Sequence, residues 1–162
     1  MATQVPIDFF VGEHEWLKTK MHAALESARA VATGACDGSG DLEREIAHLC
    51  DAVRLHIDAE NRVVHPLFDA IFPDARQSLE HQHDLEGQLV LHLEAAVDDL
   101  RARWAPEAVR SFQPLLQRFV AALLAHMAEE EALMPMLREL LPLADLRAAA
   151  EELGRFSAVR RI

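Results

Sequence analysis

A chain of 162 residues with a formal charge of −11, from 27 acidic against 16 basic side chains, carries a surface field that repels nucleic acid and anionic lipid. No run approaches the ~18 uncharged apolar residues of a membrane span, and no basic region followed by an apolar core marks a secretory signal, so the expected compartment is the cytoplasm. Apolar residues make up 51%, while glycines and prolines number only 6 and 7, which describes one compact helical domain over residues 1–162.

Pro6 in a first turn and Asp8 near the positive end of the helix dipole predict a first helix over 6–33. Its apolar face runs Ile7, Phe10, His14, Leu17, Met21, Ala24, Ala28, Val31, with one histidine inside it. Three glycines between residues 34 and 40 predict a loop, after which Asp41 is expected to cap a second helix over 41–65. The face of that helix reads Leu42, Ile46, Leu49, Val53, His56, Glu60, Val63, Leu67 in alternating steps of three and four, so two polar residues stand in its apolar stripe. Pro66 and Pro73 bracket residues 65–72, expected to be an irregular helix end and a turn.

A third helix is expected over 76–104, with the face Leu79, His83, Glu86, Val90, Leu93, Val97, Leu100, Trp104. A fourth is expected over 107–134, kinked at Pro114 and broken at Pro135. A short helix over 143–153, closed by Gly154, and a solvated, arginine-bearing tail over 155–162 complete the chain. Cys36 and Cys50 lack metal-type spacing and are expected to be reduced and without a role.

Adding seventy to each position of the second helix gives Phe112, Leu116, Phe119, Leu123, His126, Glu130, Leu133, Leu137, the same stripe with the same His-x-x-x-Glu. The first and third helices match at an offset of sixty-nine, His14 falling on His83, with Leu17 against Glu86 as the mismatch. An all-α, up-down-up-down four-helix bundle with a pseudo-two-fold internal repeat and a short C-terminal helix follows from that pattern.

Residues four apart on a helix lie about 40° apart around the axis, so His56 with Glu60, and His126 with Glu130, can each aim at one point. Any one of these residues alone could be an ordinary buried polar group. Six at equivalent stripe positions, His14, His56, Glu60, His83, His126 and Glu130, point instead to a dinuclear metal site, because two buried carboxylates need compensating cations. Glu45-x-x-His48 and Glu80-x-x-His83 offer a rival spacing, but the fourth helix carries no counterpart. His22, His65, His81 and His92 lie off the stripes and are expected at the surface or rim, His22 alone having a claim to stand behind the site. His83 is preferred over His81 because only His83 shares the face of Leu79, Val90, Leu93 and Val97.

As a set, Glu13-His14, His56-Ile-Asp-Ala-Glu60-Asn with His65-Pro66, His83-Asp-Leu-Glu-Gly-Gln-Leu89, and His126-Met-Ala-Glu-Glu130-Glu with Pro135 resemble the hemerythrin-like, or HHE cation-binding, family of non-haem di-iron proteins over nearly all of the chain up to Leu141. The resemblance implies His14, His56, His83 and His126 as terminal iron ligands. It implies Glu60 and Glu130 as carboxylates bridging two iron ions, with an oxo or hydroxo bridge and zinc or manganese as substitutes. The oxygen-carrying members have a His-x-x-x-His pair on the third helix; Gly87 stands here instead, so a more open centre is expected, similar to the iron-sulfur-repair and peroxide- or nitric-oxide-handling branches.

Three functions are expected in order of preference. The first is a di-iron protein that binds a small diatomic ligand, dioxygen or nitric oxide, for sensing, storage or stress response. The second is a di-iron oxidoreductase that consumes peroxide or nitric oxide or repairs iron-sulfur clusters, and the third is a bundle that a metal staples together. Neither nucleic acid nor membrane is an expected partner, and the oligomeric state is left open, a homodimer included.

Overall fold

The computed structural model describes residues 6–35 and 39–156, and every regular element among them is helical. Cys36, the middle of the predicted glycine-rich loop and residues 157–162 of the predicted tail lie outside the described residues, as does the side chain of Ile7. The elements are α1 (Pro6–Ala32), α2 (Ser39–Ala59), a π-helical turn (Glu60–Val64), α3 (His65–Asp69), α4 (Pro73–Ala102), α5 (Pro106–Leu140) and α6 (Leu143–Phe156). Each of the long helices α1, α2, α4 and α5 packs on two others, α1 on α2 and α5, α4 on α2 and α5. Among the described residues, no helix is long and apolar enough to cross a membrane.

The predicted faces of α1 and α2 are the buried ones: Phe10, His14, Leu17, Met21, Ala24, Ala28 and Val31 on the first, and Leu42, Ile46, Leu49, Val53, His56 and Glu60 on the second. α1 ends in a Schellman motif. Gly34 takes a positive φ of 72°, its N–H donates to Val31 O at 3.0 Å and that of Ala35 to Ala30 O at 2.9 Å. Arg110 on α5 donates to Ala32 O at 3.0 Å, covering a last carbonyl that the helix itself leaves open. Two apolar clusters result. The larger spans α1, α2, α4 and α5, and the smaller gathers Phe10, Val63, Val64, Phe68, Leu79, Met134 and Leu137 with Ala149 and Leu153 of α6. The polar residues of the stripes lie along the chain between the parts of the helices that feed these clusters.

Several expected boundaries are corrected. α2 begins at Ser39, so Asp41 sits inside the first turn, where its charge meets the unpaired N–H groups, rather than at the cap. α4 begins at Pro73, which supplies no N–H where none is needed, and ends at Ala102. α5 does not break at Pro135 but runs through it to Leu140: the ring faces solvent, and buried Met134 and Leu137 hold the turn on either side. The tail helix reaches Phe156, past Gly154.

The largest correction follows Glu60. Five residues in π-helical form put one extra residue into the turn, and the His65 N–H donates to Glu60 O, five residues back. Everything downstream is rotated by about 100° relative to an unbroken α-helix. Leu67, which continues the predicted stripe, is therefore only half-buried, while Val64, His65 and Phe68 turn into the core. Truncating the fully buried Phe68 to Ala is expected to cost about 3–5 kcal/mol, and Leu67→Ala less than half of that. Denaturant unfolding of the two variants measures both; equal losses, or a larger loss at Leu67, contradict the shifted register.

Candidate metal centre

Five histidines and two glutamates converge between the four long helices. α1 supplies His14, α2 and the π-turn supply His56 and Glu60, α3 supplies His65, α4 supplies His83, and α5 supplies His126 and Glu130; none is more than 5% exposed. Glu60 is central. Its Oε1 lies 2.6 Å from His56 Nε2 and 3.4 Å from His14 Nε2, while its Oε2 lies 2.9 Å from His83 Nε2 and 3.4 Å from His126 Nε2. Glu130 reaches the same two sides: Oε2 is 3.4 Å from His14 Nε2 and 3.6 Å from His126 Nε2, and Oε1 is 3.3 Å from His65 Nε2. One ligand atom from each of His14, His56, Glu60 and Glu130 lies within 4.8 Å of the others, and so it does for Glu60, His65, His83 and His126.

Residues behind the imidazoles decide which nitrogen faces the centre. His14 Nδ1 donates to Glu131 Oε1 at 2.9 Å, and Lys18 donates to the same oxygen at 2.9 Å. His83 Nδ1 donates to Asn61 Oδ1 and His126 Nδ1 to Gln82 Oε1, each at 2.9 Å. The Gln82 amide nitrogen donates to Glu129, which fixes its oxygen toward His126. With the Nδ1 protons so placed, the neutral rings turn the lone pairs of Nε2 inward, the arrangement of a metal-ligating histidine with an oriented outer partner.

The inner atoms fit a cation better than they fit one another. His83 Nε2 and His126 Nε2 stand 3.0 Å apart, two lone pairs face to face when both rings are neutral. His56 Nε2 makes no hydrogen bond despite its 2.6 Å approach to Glu60, and Glu130 Oε2 is buried without a hydrogen-bond partner. Nitrogen and carboxylate ligand atoms of this kind suit a transition metal of intermediate hardness.

Without a metal, protons take up part of that role. Burial pulls the His14 imidazole down, but the Glu130 and Glu60 carboxylates beside it outweigh that and hold the ring up at about 10. Burial likewise opposes His126, and Glu60 with Glu130 and Glu86 lifts it to about 9. Burial pushes Glu60 up, yet the surrounding imidazoles, His56 foremost, bring its carboxyl well below the ordinary range. His83 is lowered by its burial.

Of the residues singled out in the sequence, His14, His56, Glu60, His83, His126 and Glu130 meet in one place. His22, His48, His81, His92 and Glu80 are exposed and take no part. His65 is the correction: expected at the surface or rim, it is 0% exposed and stacks on His83 with ring centroids 4.5 Å apart. Stripe periodicity could not find it, because the π-turn breaks the periodicity immediately before it; its signals were the short interval from Glu60 and its place, with Pro66, in the motif set. Glu86, the mismatch in the repeat, is 1% exposed, lacks a hydrogen-bond partner for either oxygen, stands 3.9 Å from His126 Nδ1, and is pushed up by burial to about 7. Cys50 is a buried free thiol, raised by burial to about 12, remote in chemistry from this cluster.

Compared with known families, residues 5–137 match the model described as the Hemerythrin HHE cation binding domain. A search of curated proteins found no match.

Because metal ligands must be deprotonated, uptake of cations has to expel the protons held at His14, raised to about 10, and His126, raised to about 9. Titration of metal into the metal-free protein at pH 7, in buffers of different protonation enthalpy, is expected to release about two protons per chain. The release declines as the pH climbs through 9 and 10. Uptake at pH 7 with no proton release contradicts this arrangement.

Proposed function

The chain belongs to the hemerythrin HHE cation-binding family, and on that premise we propose that its centre holds two iron ions and binds a small diatomic ligand, dioxygen or nitric oxide, for sensing, storage or stress response. The observation that carries the reading is the division of Glu60, with Oε1 turned to His14 and His56 and Oε2 turned to His83 and His126. A carboxylate so divided suits two cations side by side. Glu130, reaching both sides through Oε2, is the second bridging carboxylate of the proposal. Two ferrous ions held there would supply electrons and coordination positions for the small ligand.

The remaining work falls to the protein. Glu131, Asn61 and Gln82 hold His14, His83 and His126 in orientation. Phe10 lies edge-on to His14 at 5.5 Å and beside His56 at 5.7 Å, Phe68 lies 6.3 Å from the His65 ring, and both phenylalanines are buried, so apolar groups limit water around the imidazoles. Zinc or manganese can occupy the same ligands. The same reading takes the chain as one cytoplasmic four-helix domain, up-down-up-down with an internal two-fold repeat, supported by the packing of each long helix on two others and by the seventy-residue offset of His56-x-x-x-Glu60 and His126-x-x-x-Glu130.

One observation favours a second reading, an oxidoreductase that consumes peroxide or nitric oxide. The Glu86 carboxyl is buried and unpartnered 3.9 Å from His126 Nδ1, placed to hold a proton beside the centre. A turnover assay on iron-loaded protein, wild type against Glu86→Gln, separates the two readings.

The protein as purified is expected to contain about two irons per chain, to show near-ultraviolet charge-transfer bands after air oxidation, and to change its spectrum when nitric oxide meets the anaerobic ferrous form. Glu60→Ala should lose metal and stability together, since it leaves imidazoles without charge compensation on both sides. One zinc per chain, or wild-type iron content in Glu60→Ala, contradicts the proposal.

A further inference from the structure

His65 is not among the six residues that the stripes single out, yet the fold buries it beside them. The π-turn over Glu60–Val64 advances the chain by one residue, and His65, the first residue after it, is carried inward by the change. Its Nε2 lies 3.3 Å from Glu130 Oε1, and its ring is parallel to that of His83, with an interplanar angle of 10° and centroids 4.5 Å apart. Its Nδ1 is buried without a hydrogen-bond partner, unlike Nδ1 of His14, His83 and His126. A side chain kept only to fill space would cost less as an apolar one, because an imidazole buried with an open nitrogen loses its hydration for nothing. A π-turn in turn gives up regular helical hydrogen bonding and characteristically marks functional positions.

We propose that His65 is a third imidazole ligand on the side of the centre formed by Glu60, His83 and His126, so that the two metal positions are chemically unequal. One is bounded by three imidazoles, His65, His83 and His126, and the other by two, His14 and His56, with the carboxylates of Glu60 and Glu130 between them. This inference rests on the two-metal reading and sharpens it. The position with three imidazoles suits borderline ions such as ferrous iron, cobalt or zinc, and the position with two tolerates harder ones such as manganese.

Cobalt(II) added to the metal-free full-length protein is the probe, with bound metal counted and the visible and near-ultraviolet spectrum recorded. Wild type is expected to take two cobalt ions. In His65→Ala one ion should bind within about threefold of wild type and the other more than about 100-fold more weakly, beyond the loss that removing an outer partner produces. His65→Cys should show a thiolate-to-cobalt charge-transfer band that neither wild type nor His81→Cys gives, a signature that a merely structural role of His65 does not generate. This variant decides the matter even where the alanine variant fails to fold. Two tightly held cobalt ions in His65→Ala and no new band in His65→Cys overturn the inference while leaving the two-metal reading intact. A wild-type protein that takes a single cobalt ion overturns both.

Discussion

Two carboxylates with no exposed surface, Glu60 and Glu130, have to be neutralised where they stand, and the architecture around them answers that demand. Burying an ionised carboxylate costs several kcal/mol even after the protein relaxes, and an isolated one would give up its charge instead. Here the surrounding imidazoles hold Glu60 ionised, and the same field draws positive charge onto His14 and His126. Protons and metal ions therefore compete for the same ligand atoms. The long helices can place ligand residues four apart because each also presents a continuous apolar stripe that fixes its rotation, so the packing of Leu49, Val53, Leu123 and Met127 sets the aim of His56 and His126 as surely as any hydrogen bond does.

Much of this was legible in the sequence because the centre is written in the same periodicity as the core. His14, His56, Glu60, His83, His126 and Glu130 all occupy stripe positions, and all are buried together. The choice of His83 over His81 needed only the helical turn of two residues, and the structure exposes His81. Glu86 was visible as a break in the repeat, but neither its burial nor the lack of a partner for its oxygens can be read from a pattern. Asn61, Gln82 and Glu131, which orient the rings, were not singled out, since residues beside a stripe look like any solvated flank until the neighbouring helix is in place.

The π-turn marks where periodicity stops being informative. No proline or glycine lies between Glu60 and Val64, so local propensity gives no warning of it, and the extra residue is retained by what it buries: Val64 and Phe68 in the smaller apolar cluster, with α6 packed against the turn. A single inserted residue exchanged Leu67 for Phe68 in the core and brought His65 beside His83. Pro135 shows the converse, a residue with a strong local preference to end a helix that packing on both sides overrides.

At the centre of the account stands the sharing of Glu60 between two metal positions, and anomalous diffraction at the iron edge from crystals of the iron-loaded protein tests it most directly. The account predicts two peaks flanking the Glu60 carboxylate, one on the side of His14 and His56 against Oε1, the other on the side of His83 and His126 against Oε2. A single peak, or a pair of peaks that does not have the Glu60 carboxylate between them, would contradict it.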